Sequence, residues 1–256
     1  AMTTQCAAVI DGGSDDYMLE TAILKVFATD SLWTIVNDTL QIYGGQGYFS
    51  NEPYERWMRD ARINTIGEGA NEVLKAFIAV VGIRGVGEAL RGVLSALKHP
   101  FGEMGTLWRF GRSQVSARLQ TPEIPVQSKD LATEARQLAA RVRDFGLAIP
   151  QVLAHFRKEA LAHRNGKDEE LAILEVVLKS QYTHERLADA VCDLYASSCT
   201  LSRLDSLLAG GGEPREIQAG KYFLQLADRR IRRNLADLWD NVDGATTATA
   251  DAFLKG

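Results

Sequence analysis

Two short glycine-rich turns hold the residues with the most chemical promise. In Gly67-Glu68-Gly69 a carboxylate stands between two glycines. Glycine reaches backbone angles that other residues avoid and lets a ligand approach the main chain closely. The carboxylate of Glu68 therefore projects from an uncrowded turn and is the sharpest candidate for chemistry in the chain. Taken alone it could equally be a surface acid at a helix N-terminus, stabilised by the helix dipole. Upstream, Gly44-Gly45-Gln46-Gly47 offers backbone N–H groups of the kind that cradle phosphate oxygens. The same glycines would also serve as a plain helix C-cap. Gln41, on its own, reads as a solvent-facing side chain. Arg59-Asp60, between the turns, reads as a structural pair that orients the Glu68 segment.

Other chemistries find little support. The four histidines, His99, His155, His163 and His184, lack metal-ligand spacing. The three cysteines, Cys6, Cys192 and Cys199, form no CxxC pair and cannot all pair internally, which predicts free thiols and a reducing compartment. Cys192 and Cys199 stand one heptad apart and read as core fillers.

The elements that must position the turns read as helices throughout, with no strand-like alternation. Residues 2–10 form a first helix without a cap before it, so the chain reads as a fragment of a longer protein. A second helix starts near Asp15 and runs to about Ile42. Its stripe of Leu19, Ile23, Val26, Phe27, Leu32, Trp33 and Val36 has the spacing of a buried helical face. Asn51-Glu52-Pro53 opens a short helix in which Trp57 and Met58 face inward. Asn71 is the expected N-cap of an apolar helix over 72–81, buried on most sides. Residues 98–128 carry Pro100, Pro122 and Pro125 and read as a linker or docking segment. Beyond it, Leu131, Leu138, Val142 and Phe145 mark a helix ending near Pro150, and Val152, Phe156 and Leu161 mark another. A long stripe from Leu174 to Leu201 gives one helix or two. Phe223, Leu226, Ile231, Leu235 and Trp239 mark a last one, in an up-down bundle pattern. Residues 244–256 read as a fraying polar tail.

The order Gln41, Gly44-Gly45, Gly47-Tyr48, then Arg59-Asp60, then Glu68-Gly69 opening a helix resembles the C-terminal α-domain of the acyl-CoA dehydrogenases. The likeness runs from near residue 1 to about Gly85. The rest of the chain is similar, more loosely, to the helical extension of the very-long-chain branch. The resemblance implies an all-α fold: a truncated C-terminal α-domain at 1–97, the linker at 98–128, and a second helical bundle at 129–243. It implies FAD-dependent α,β-dehydrogenation of long-chain acyl-CoA, with Glu68 as the base that removes the α-proton. It assigns Gln41, Gly44, Gly45, Gly47 and Gly69 to the cofactor, the glycine turn meeting the FAD diphosphate region of a neighbouring subunit. Two positions depart from the family pattern. Gly67 stands where an aromatic residue is common, which widens the substrate pocket. Ala70 stands where a threonine often contacts the flavin, which removes that side-chain contact.

The same resemblance implies electron-transferring flavoprotein as a partner, and a homodimer or dimer of dimers. The N-terminal helical and middle β-domains of the family are absent from this stretch, so the fragment alone is expected to bind FAD poorly and not to turn over. A non-catalytic helical assembly module of the same ancestry is the alternative. The segment 221–233, KYFLQLADRRIRR, reads either as a peripheral membrane contact or as a bundle helix with a solvated basic face. A net charge of −4 and the lack of a compact basic motif argue against nucleic acid. No apolar run approaches the ~20 residues of a membrane span, and no signal peptide is visible. Bacterial cytoplasm and mitochondrial matrix both suit the chain.

Overall fold

The computed structural model describes residues 1–82, 121–163, 166 and 168–254. All regular structure among them is helical. Helix α1 is Met2–Asp11, α2 is Met18–Tyr43 and α3 is Tyr54–Asn64, with a 3-10 turn, Gly44–Tyr48, between α2 and α3. Helix α4 spans residues 71–82. After the irregular stretch 121–128 come α5 (Ala132–Ala162), α6 (Glu169–Lys179), α7 (Gln181–Gly210), α8 (Pro214–Asp237) and α9 (Asp243–Leu254). Of the expected linker at 98–128, residues 98–120 lie outside the described residues, as does the end of the expected α-domain, 83–97.

The core shows why these helices assemble. Ile23 and Val26 of α2 and Ile78 of α4 pack with Met2 of α1 and with Ala188, Cys192, Ala196 and Cys199 of α7. Helices on both sides of the proline-rich segment thus share one buried cluster. A second cluster joins Ala79 of α4 to Ile149, Val152 and Phe156 of α5, Leu187 of α7 and Leu238. A third holds Leu131, Ala135 and Leu138 against Leu201, Leu204 and Leu224. All three thiols are free and buried.

Several local expectations need correction. Pro150 does not end a helix but lies inside α5. An internal proline costs about 3 kcal/mol, and burial of Ala148, Ile149 and Val152 on both sides of it carries the helix through. Of the two readings left open for the stripe from Leu174 to Leu201, two helices is the one found, with a break at Ser180, whose hydroxyl donates to the Val176 carbonyl at 2.7 Å. The tail is the helix α9, without a buried residue. Its first residue, Asp243, is gripped at both carboxylate oxygens by Arg186. Trp57 is 46% exposed, since α3 buries only Ala61. Val73 of α4 is likewise exposed.

One buried group makes stability depend on pH. His184 of α7 is 2% exposed, and neither ring nitrogen has a well-formed hydrogen bond. Burial pushes its imidazole below the ordinary value, and the nearby Val177 backbone opposes this only in part. A base whose folded value is depressed must lose its proton to fold. Stability is then flat above the unfolded value of about 6.5 and falls as pH drops below it, by at most about 1.4 kcal/mol per unit. Urea midpoints measured between pH 8 and pH 5 are expected to fall more steeply for the natural chain than for His184→Leu.

Candidate functional site

Helix α2 runs straight into the first glycine turn. Gly44 has φ +59°, in the region that favours glycine. A Cβ built on Gly47 would come within 2.9 Å of the Tyr43 Cβ and 3.0 Å of the Leu40 carbonyl oxygen, so only glycine fits. At Gly44 and Gly45 an added Cβ would meet nothing within 4 Å. These two residues present bare, exposed main chain. Gln41 is exposed beside them. The turn is braced by Tyr43 and Tyr54, whose rings stack at 4.1 Å. A hydrogen bond with Tyr43, followed by burial, pushes the Tyr54 phenol up to about 12.

Helix α3 leads to the second turn. Arg62 donates to the Thr65 hydroxyl at 2.7 Å, and the Gly67 amide donates to the Ile63 carbonyl at 2.8 Å. Glu68 follows with φ +58°, which no other non-glycine residue shows among those described. An L-residue held there carries strain of order 1 kcal/mol. Gly69 continues with φ +93°. The carboxylate of Glu68 is exposed and engages no described residue through a hydrogen bond or ion pair. Flanking glycines and a left-handed backbone thus aim a free carboxylate away from the protein.

The supports of this turn differ from those expected. Arg59 reaches back one helical turn to Glu55 at 2.9 Å, and no hydrogen bond or ion pair joins it to the Glu68 segment. Asn71 does not cap α4. Its side chain is buried and donates to the Thr29 hydroxyl at 2.9 Å and to Asp30 at 2.7 Å, both on α2. The Ala70 carbonyl instead takes the first amides of α4, from Val73 and Leu74, each at 3.0 Å. Lys25 of α2 donates to the Gly69 carbonyl and to the Asn71 side-chain oxygen, each at 2.7 Å. One turn into α4, Lys75 lies 2.9 Å from Asp189 and 3.6 Å from Glu185 on α7, and 3.8 Å from Asp30. Burial pulls the Lys75 ammonium down, but the three carboxylates outweigh it and hold it above its usual value.

Sequence reasoning passed over Lys25, Thr29 and Asp30. Their signal was available. Lys25 and Thr29 are four apart on α2, flanking the buried Val26, so they share the edge of its apolar face.

Elsewhere, the basic residues of 221–233 are largely paired within the bundle. Arg230 meets Asp193 at 2.6 Å, Arg232 meets Asp228 at 2.9 Å and Arg233 meets Asp237 at 3.5 Å. A groove of roughly 310 Å³ between α5 and α8, lined by Arg141, Gln151, Arg232 and Trp239, is separate from the glycine turns. Among the described residues no group of three or more His, Cys, Asp or Glu could hold a metal ion. None of the described helices is long and apolar enough to cross a membrane.

Known proteins resemble this chain in sequence and fold. Residues 1–82 match the family described as acyl-CoA dehydrogenase, C-terminal domain. The chain is 32% identical over 252 residues to the mitochondrial very long-chain specific acyl-CoA dehydrogenase of Homo sapiens, covering 93% of this chain and 35% of that protein. A shorter likeness, 39% over 75 residues, links it to cyclohexane-1-carbonyl-CoA dehydrogenase of Geobacter metallireducens, across 29% of this chain and 20% of the relative. An acyl-CoA dehydrogenase from Bacillus anthracis, solved in complex with FAD, shares the fold with a TM-score of 0.57 and 22% identity, over 91% of this chain and 35% of the other. The chain thus spans about a third of the length of the very-long-chain relatives it matches, at 35% of the human protein. With the two glycine turns lying inside the matched segment, the chain belongs to the acyl-CoA dehydrogenase family and carries that family's C-terminal domain over residues 1–82.

Proposed function

We propose that this chain is part of an FAD-dependent acyl-CoA dehydrogenase acting on long-chain thioesters, with Glu68 as the base. The observation that carries the reading is the left-handed Glu68, between two glycines, with its carboxylate free of other side chains. An α-proton of a thioester is weakly acidic, so its base must be close, correctly aimed and not committed to another partner. In this reaction the Cα–H bond breaks toward Glu68, and its electron pair forms the Cα=Cβ bond. FAD, when bound, accepts the hydride that leaves Cβ. The bare main chain at Gly44 and Gly45 fits a diphosphate, with Gln41 beside it. Gly67 leaves the substrate side of Glu68 uncrowded. Residues 1–97 form the catalytic α-domain in this reading, joined through 98–128 to a helical extension at 129–243.

A base needs desolvation to work, and Glu68 is exposed on this chain. Its cover, and most of the flavin site, belong to the remaining two-thirds of the enzyme. The chain by itself is therefore expected to bind FAD weakly. Titration followed by flavin fluorescence checks this, and tight one-to-one binding would contradict it. Electron-transferring flavoprotein as acceptor, subunit pairing through this domain and a mitochondrial or bacterial setting follow from the same reading.

The test of function uses the intact flavoprotein that contains this chain. Adding a long-chain acyl-CoA is expected to bleach the flavin's visible absorbance. Flavin that stays oxidised with long, medium and branched acyl-CoA alike would turn the assignment toward a helical assembly module.

A further inference from the structure

We propose that Lys25 is a positioning residue for the Glu68 turn. The inference rests on Glu68 being the base. Two successive residues with positive φ, Glu68 at +58° and Gly69 at +93°, make a tight left-handed reversal. The main chain closes this reversal at its ends, where the Asn71 amide donates to the Thr65 carbonyl at 3.0 Å. Nothing within the turn fixes the Gly69 carbonyl. Lys25 does so from α2, donating to it at 2.7 Å. The same ammonium donates to the Asn71 side-chain oxygen at 2.7 Å. It therefore spans the peptide that follows the base and the first residue of α4.

The ammonium is itself held in place. Asn71 is buried and also bonded to Thr29 and Asp30, so it cannot swing away. Asp30 in turn faces Lys75, which is anchored by Asp189 of α7. Glu68, by contrast, touches none of these groups. A network that ends one residue short of a free carboxylate can set its direction without consuming its charge. Misplacing a reacting group by about 1 Å costs on the order of a hundredfold in rate.

The experiment compares Lys25→Met, Lys25→Arg, Glu68→Gln and the double variant Lys25→Met/Glu68→Gln in the intact flavoprotein. The readouts are the rate of flavin bleaching by acyl-CoA at saturation and the KM for acyl-CoA. Lys25→Met is expected to slow bleaching by about ten- to a hundredfold with KM nearly unchanged. Lys25→Arg, which keeps a cationic donor, is expected to recover most of the rate. The double variant is expected to be no slower than Glu68→Gln alone, because the lysine acts through the glutamate.

Each alternative outcome is decisive. If Glu68→Gln slows bleaching and Lys25→Met does not, the positioning role is wrong while the base assignment stands. If Glu68→Gln itself bleaches at the natural rate, the base assignment has failed. Lys25→Gln serves as the second removal variant, and flavin content and far-ultraviolet circular dichroism check folding in each. If both Lys25→Met and Lys25→Gln lose flavin or fold, the lysine is structural and the proposal is overturned.

Discussion

Replacing Glu68 by glutamine in the intact flavoprotein is expected to lower the rate of acyl-CoA oxidation by about 10²–10⁴-fold, the usual contribution of a positioned general base. The amide keeps the size of the side chain and cannot take a proton at neutral pH. The backbone at φ +58° is set by the flanking glycines and the closed turn rather than by the carboxylate, so the turn survives the change. Flavin content and acyl-CoA affinity should therefore hold while the reaction stops. The measurement is stopped-flow bleaching of the flavin under single turnover. A variant that bleaches within a factor of a few of the natural protein would remove Glu68 from the reaction. Because the side chain makes no bond to described residues, the change should leave thermal stability almost unaffected.

The largest expected loss of stability lies elsewhere, between α7 and α8. Asp193 is 5% exposed and receives Arg230 in a forked pair, at 2.6 Å from one terminal nitrogen and 2.9 Å from Nε. Burial pushes the Asp193 carboxyl above its ordinary range, while Arg230 pulls it back. The two partners are not equivalent, because the Arg230 side chain remains 46% exposed. Arg230→Met strands a buried carboxylate and is expected to cost about 3 kcal/mol, the lower end for stripping one partner from a buried pair. Asp193→Asn leaves behind a guanidinium that water can reach and is expected to cost about 1 kcal/mol or less. Urea midpoints for the two variants check the asymmetry. Equal losses would mean that the pair behaves as a surface contact.

The helical fold and the two turns were legible in the sequence because both are local. Apolar spacing such as Ile23–Val26 and Leu131–Leu138 reports a buried face directly, and glycine reports an unusual turn. What escaped was set by tertiary contacts. Pro150 reads as a stop, and only packing on both sides keeps α5 continuous. Trp57 reads as a core residue, yet α3 is so charged that one alanine is its whole buried face. Asn71 sits where a cap belongs, and its amide is used instead to reach across to α2. Arg59-Asp60 reads as a support, while the support came from Lys25, a residue whose type ordinarily marks a solvated face. At the second glycine turn, the reversal around Glu68 was legible from its two glycines, but not that Glu68 itself would take a left-handed φ. A sequence shows that a turn is sharp but not which of its residues carries the strained backbone.

The three free thiols have a further use. Cys192 and Cys199, 4% and 8% exposed, lie in the core where α1 and α2 meet α7, and Cys6, 4% exposed, lies between the Glu20 carbonyl of α2 and the Tyr195 hydroxyl of α7, each at 3.6 Å. Burial, reinforced by Asp189 and Asp193, pushes the Cys192 thiol up to about 12, so it is unreactive while the seam is shut. The chain therefore carries its own clock for breathing. The pace at which a water-soluble thiol reagent labels these positions counts how often the seam parts, without any added probe.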